Sequence, residues 1–215
     1  MDVAVAGAHG QIARLLVARL AARGDRVRGL IRNPEHAGDV RADGAEPVVC
    51  DLEHAAIAEI AEAVAGADAV VFAAGAGPGS GPGRKWTVDR DGAIALLRAA
   101  EAVGVPRYVM VSAVGAEEPP DGEDDFSVYL RAKAQADEAV RESELTWTIV
   151  RPGRLTDDPG SGRVRLDSEP HRGEVAREDV AAFLEEVLHH APVANRTLYL
   201  NGGELPIAQA LREAA

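Results

Sequence analysis

Tyr129 and Lys133 stand four residues apart in VYLRAK, a spacing that puts both on one face if the segment is helical. A phenol and an ammonium on a shared face can move a proton: the phenol carries it, and a nearby cation lowers the pKa at which it leaves. Ser112 closes the apolar run VMVS one acidic loop earlier, and a hydroxyl there can hold a substrate carbonyl or hydroxyl oxygen. Lys133 is one of two lysines, with Lys85, in a chain that otherwise takes its positive charge from arginine. The competing reading is an amphipathic helix on which Tyr129 packs inward and Lys133 only binds a ribose. Ser112, Tyr129 and Lys133 are the expected catalytic residues, and the open part is whether Tyr129 gives up its proton.

A ribose-binding lysine needs a dinucleotide, and VAVAGAHGQIA offers a place for one. A strand over residues 2–6 runs into a glycine turn and a helix N-terminus, where backbone N–H groups attract a pyrophosphate. The spacing is G-x-x-G-x-x-A (Gly7, Gly10, Ala13), which is weak alone and gains force from following the first strand. Gly7, His9, Gly10, Gln11 and Ile12 are the expected contacts there. LIRNP ends the second strand on Arg32 without a carboxylate, which favours the 2′-phosphate of NADP(H) over the free 2′-hydroxyl of NAD(H). Asp51 and Leu52 close the third strand; Asp51 can meet the adenine amino group or cap a helix over 53–65. Ala73, Ala74 and Gly75 are small enough for a cofactor to lie against the backbone, and the Gly/Pro/Ser loop 75–83 reads as a lid or as a plain surface loop. In WTIVRPGRLTD, Pro152 ends a strand, and Arg151–Thr156 are expected beside the nicotinamide and substrate, with Pro152 and Gly153 as cofactor contacts.

The elements that position these residues alternate. Strands are expected at 2–6, 27–31, 47–50, 69–74, 108–112, 146–150 and 197–200, and helices at 53–65, 86–103, 127–143 and 177–189, with a first helix ended by Gly24 and a last one at the terminus. Continuously apolar strands such as AVVFAA suit a sheet covered on both faces. The fold class is therefore α/β: a doubly wound parallel sheet of Rossmann type, in three α/β/α layers. The chain reads as one domain over 1–215, with an irregular stretch at 153–174 and the segment 191–215 forming a small C-terminal substrate region.

Composition narrows the partners. A net charge of −12 over 215 residues repels phosphate backbones and anionic lipid heads, so no nucleic acid and no membrane surface is expected, and the partner is a small molecule. Cys50 is the lone cysteine, which excludes an intrachain disulfide and fits a cytoplasmic location. No signal peptide, membrane-length apolar run, H-E-x-x-H or G-x-S-x-G is present, so neither a metal nor the obvious hydrolase site is expected. Monomer and homodimer both remain open.

Taken together, VAVAGAHGQIARLL, LIRNPE, VVCDL, VVFAAGAG, VDRDGAIALLRAAEAVGVPRYVMVSAVGA, YLRAKAQADEAVRESELTWTIVRPGRLTDDPGSG and REDVAAFL resemble the atypical short-chain dehydrogenase/reductases. More narrowly, the chain is similar to their small NAD(P)H-binding branch, the NmrA-like and biliverdin-IX-beta/flavin-reductase-like proteins. The resemblance implies a Rossmann domain, NADP(H), and pyrophosphate contacts at Gly7, Gly10 and Ala13. It puts Arg32 on the 2′-phosphate, Ser112, Tyr129 and Lys133 in the Ser–Tyr–Lys positions, and Arg151–Gly153 beside the nicotinamide. It departs at His9, where the branch commonly has Thr. The activity implied is hydride transfer to a small carbonyl, quinone, imine or flavin. A non-catalytic NADP sensor is the alternative, and a nucleotide-sugar epimerase or dehydratase is a third.

Overall fold

The computed structural model describes residues 1–77, 79–190 and 193–214. Its first half repeats strand and helix: β1 (Asp2–Ala6), α1 (Gln11–Ala22), β2 (Arg26–Ile31), α2 (Ala37–Ala42), β3 (Glu46–Val49), α3 (Ile57–Val64) and β4 (Ala69–Phe72). A short helical turn, α4 (Pro82–Arg84), then leads into a π-helix (Lys85–Gly92) and α5 (Ala93–Ala102). β5 (Arg107–Val111), α6 (Asp125–Glu142) and β6 (Thr146–Pro152) follow. The C-terminal part comprises β7 (Arg154–Thr156), β8 (Arg163–Asp167), β9 (Glu174–Ala176), α7 (Arg177–His189), β10 (Arg196–Gly202), β11 (Leu205–Pro206) and α8 (Ile207–Glu213).

Nine strands form the main sheet in the order β3-β2-β1-β4-β5-β6-β10-β8-β11. Every pairing from β3 through β10 is parallel. The expectation of a wholly parallel sheet needs one correction: β8 pairs antiparallel with β10, and β11 with β8. β8, with β7 and β9 of a separate two-stranded ribbon, comes from or flanks the stretch 153–174 that reads as irregular, while β11 comes from the C-terminal segment. RVRLD is hard to see as a strand because only Val164 is fully buried.

Both faces are covered. Leu16, Val17 and Leu20 of α1 pack with Val180, Phe183, Leu184 and Val187 of α7 and with Ala210 and Leu211 of α8 on one side. On the other, Ile60 and Val64 of α3, Leu96 and Ala100 of α5, and Ala136 and Val140 of α6 pack over Val70, Phe72, Tyr108 and Ile149. Burying one such aliphatic side chain is worth about 1.5–3 kcal/mol, so these two layers dominate the stability. Tyr108 belongs to this core, its hydroxyl donating to Ala93 O at 2.9 Å. The described residues of 191–215 build β10, β11 and α8 at the far edge of the sheet. Among the described residues, no helix is long and apolar enough to cross a membrane.

Candidate functional site

Strand order reverses between β1 and β4, the place where an open α/β sheet leaves a crevice at the carboxyl ends of its strands. Two adjoining cavities fill it, of about 300 Å³ beside β2 and β3 and about 530 Å³ beside β5 and β6. Gly10, Ala73, Ala74 and Gly75 border both, so the two form one cleft with the glycine turn at its middle.

Gly7 has φ +76°, and a Cβ there would come within 2.6 Å of the Ala74 backbone, so the turn requires glycine for both conformation and space. Gly10 N donates to Gly7 O at 2.8 Å, which closes the turn and leaves Gly10 as the N-cap of α1. No side chain caps that helix and no acidic residue sits in its first turn, so its leading N–H groups at Gln11 and Ile12 are available to an anion. The cradle fits a dinucleotide pyrophosphate. His9 lines the smaller cavity, stacked on His36 with centroids 3.7 Å apart, and its Nε2 lies 2.9 Å from Asp39 Oδ2.

Arg32 lines the same cavity, with an ion partner invisible in the sequence: its guanidinium donates to Glu53 Oε2 at 3.0 Å. Arg84 donates to the same carboxylate, and Thr87 Oγ1 donates to its other oxygen at 2.7 Å. Burial works against charge on Glu53, but hydrogen bonds from Arg84 and Thr87, with the Arg84 charge, outweigh it and hold the carboxyl down at about 2. The β2 end does lack a carboxylate, yet the turn after β3 brings one to it. Asp51 shapes that turn by accepting from Glu53 N at 3.1 Å, and it lines the cavity with Leu52. It does not cap the next helix, which begins only at Ile57 behind Ala56.

Ser112, Tyr129, Lys133 and Pro152 meet in the larger cavity, with Gln11, Ile12, Ala73, Ala74 and Gly75 opposite. Lys133 is 2% exposed. Its Nζ donates to Val111 O at 3.1 Å and lies 3.5 Å from Asp89 Oδ1, over the faces of Phe72 and Tyr129. Asp89 is fully buried; its Oδ2 accepts from Ala76 N at 3.2 Å, while Oδ1 has no hydrogen-bond donor. The π-helix carries it, and such i→i+5 winding is rare and frequently found at functional sites.

The expected electrostatics of Tyr129 come out reversed. Removal from water pushes the phenol pKa up, and the carboxylates of Asp89 and Asp137 push it further. The cation meant to lower it is already answered by Asp89. Ser112 donates its proton to Asp137 Oδ2 at 2.8 Å, leaving only its lone pairs for a ligand. Arg151 also departs from expectation. Its side chain turns away from the cleft to pair with Asp137 at 2.9 Å and to donate to Tyr199 Oη at 2.7 Å. Gly153, expected as a cofactor contact, is packed against Gly173 and Asn201.

Sequence reasoning missed Glu53, Arg84, Asp89 and Asp137. Lys85, marked only by being the other lysine, also lines the larger cavity. Among the described residues, no group of three or more His, Cys, Asp or Glu side chains is placed to hold a metal ion.

A crevice at the switch point and a glycine turn on an uncapped helix mark a dinucleotide-binding fold. The family profile described as NAD(P)H-binding matches residues 7–191, and the chain belongs to that family. It is 37% identical over 214 residues to the uncharacterized sugar epimerase YhfK of Bacillus subtilis (strain 168), covering 99% of this chain and 100% of that one. A solved structure from Bacillus halodurans, provisionally described as an NAD-dependent epimerase/dehydratase, superposes with a TM-score of 0.92 at 35% identity over 99% of both chains. The maize (Zea mays) divinyl chlorophyllide a 8-vinyl-reductase is 29% identical over 93% of this chain and 54% of its own length. Reductases thus stand among the proteins to which this chain is similar.

Proposed function

We propose that the protein is an NADP(H)-dependent oxidoreductase acting on a small carbonyl, quinone, imine or flavin substrate. The observation that carries this reading is the convergence of Ser112, Tyr129 and Lys133 on one cavity that adjoins the Gly7–Gly10 turn. A nicotinamide bound there supplies the hydride. The chain's own residues hold the dinucleotide and manage the proton. The α1 N-terminus receives the pyrophosphate, Arg32 and Arg84 receive the 2′-phosphate, and Lys133, oriented by Asp89 and Val111 O, binds the ribose hydroxyls.

Tyr129 donates a hydrogen bond to the substrate oxygen. Because its pKa is raised, the phenol is protonated throughout the neutral range, so the donor form is the resident one. Its proton moves only as the substrate oxygen gains negative charge. Ser112, fixed by Asp137, accepts from a substrate hydroxyl or imine N–H, and Leu155 and Phe126 supply apolar wall.

The test is NADPH oxidation over a panel of quinones, flavins and aldehydes, with Tyr129→Phe alongside. Turnover that collapses in the variant while NADPH still binds supports the reading. Tight NADPH binding with no turnover on any acceptor makes the protein an NADP sensor. A sugar-nucleotide epimerase is the second reading, favoured by the descriptions of the Bacillus relatives. It would interconvert a sugar nucleotide with no net consumption of cofactor.

A further inference from the structure

Lys85 is 5% exposed and lines the larger cavity with Tyr129 and Lys133, so both lysines of the chain open on the same space. The two are satisfied differently. Lys133 faces Asp89, whereas Lys85 Nζ donates only to neutral acceptors, Gly77 O and Ser80 Oγ. No carboxylate pairs with Lys85 among the described residues. An ammonium has three N–H donors, and two are spent. Burying a cation without a counter-charge is costly, and such groups are normally paired.

The other charges around the cavity do not relieve it. Arg177, on the opposite wall, donates to Asp157 at 2.7 Å. Asp89 is taken by Lys133, and Asp125 lies at the rim without pairing to Lys85. Lys85 and Asp89 are four apart in the π-helix, whose winding turns both toward the cleft. One buried cation therefore remains unanswered beside the proton donor, in a protein whose net charge of −12 otherwise repels anions. The pyrophosphate has its own seat at the α1 N-terminus, and the 2′-phosphate has Arg32 and Arg84 in the other cavity.

Resting on the oxidoreductase reading above, we infer that Lys85 is the anion subsite of the substrate pocket and that the substrate is a carbonyl compound bearing a carboxylate. The carboxylate takes the free donor of Lys85 while the carbonyl oxygen reaches Tyr129. Because Lys85 also ties down Gly77 and Ser80, a bound anion steadies the loop that borders the pocket.

The experiment compares 4-formylbenzoate with its neutral isostere, methyl 4-formylbenzoate, on the NADP-saturated protein. Binding is read from tryptophan fluorescence, for which Trp86 beside Lys85 is the reporter, and turnover from NADPH oxidation. The wild type should prefer the carboxylate by about tenfold to a hundredfold, the range of one hydrogen bond to a charged group. Lys85→Met should abolish the preference and Lys85→Arg should retain it. The inference is overturned by equal affinities in the wild type, by binding of neither compound, or by a preference that survives Lys85→Met. It is equally overturned if Lys85→Met weakens NADPH binding and leaves the ratio unchanged, which would assign Lys85 to the cofactor. A Lys85-dependent preference in binding without any NADPH oxidation would uphold the anion subsite and sink the oxidoreductase reading instead.

Discussion

Asp89 Oδ1 lies 3.5 Å from Lys133 Nζ, with both side chains buried in the wall of the larger cavity. The pair means that Lys133 does not act on Tyr129 as a bare cation. Replacing Asp89 with Asn removes a carboxylate that raises the phenol pKa and frees the ammonium that opposes it. Asp89→Asn should therefore lower the Tyr129 pKa, read by ultraviolet titration of tyrosinate with Tyr129→Phe used to assign the signal. An unchanged value would show that burial alone sets it, and a raised one would contradict the role given to Asp89.

Tyr129→Phe should cut turnover about 100-fold or more, the usual worth of a positioned proton donor. NADPH affinity should hold, since the ribose contact assigned to Lys133 stays. In the wild type, the turnover rate should show no alkaline fall from Tyr129 below about pH 10, because the phenol titrates above its ordinary value. A fall centred near neutrality would contradict the raised pKa.

Arg32 and Arg84 share one carboxylate, Glu53, in the lining of the smaller cavity. Arg84→Ala and Arg32→Ala should each weaken NADPH by about tenfold, the worth of one charge-assisted contact, and leave NADH nearly unchanged. Fluorescence titration of both cofactors measures it. Equal losses for NADPH and NADH would remove the 2′-phosphate role.

Glu53 carries an acid-side prediction. Its folded pKa of about 2 lies below the ordinary 4.5, so its stabilisation is present above pH 4.5 and is lost as pH falls toward 2. The shift corresponds to about 3 kcal/mol. Urea unfolding across that window should show the loss, and Glu53→Gln should flatten it. A variant as acid-sensitive as the wild type would place the effect on other carboxylates.

Asp137, Arg151 and Ser112 form a buried network that ties α6 to β5 and β6. Arg151→Met leaves a buried carboxylate unpaired and should cost about 3–5 kcal/mol, whereas the double variant Asp137→Leu/Arg151→Met should recover much of it. Chemical denaturation of the three proteins decides this.

The sequence reveals the fold because hydrophobic period and turn chemistry are local. The alternation of apolar strands with helices gives the parallel, doubly wound class of the sheet, and Gly7 announces a turn that only glycine can make. Ser112, Tyr129 and Lys133 were readable from type and spacing, and the cavity unites them. Glu53 was not, because a turn organised by Asp51 aims it at Arg32, 21 positions earlier. Asp89 was hidden because a helix of ordinary period was expected over 86–103, and π winding changes which side chains share a face, while Lys85 stood out only as the other lysine. The raised pKa of Tyr129 depends first on burial and then on which carboxylates the fold packs nearby, and no one-dimensional spacing encodes either.

Glu53 has a consequence for how a phosphorylated cofactor is received. Two long, otherwise wandering guanidinium side chains are already immobilised around an internal anion. The rotamer entropy of ordering them is spent during folding and need not be spent again at binding. Under the proposed NADP(H) reading, a 2′-phosphate arriving there trades places with a carboxylate, so association is a substitution at a preorganised site. Its affinity then reports the difference between two anions, a smaller quantity than the attraction of either one.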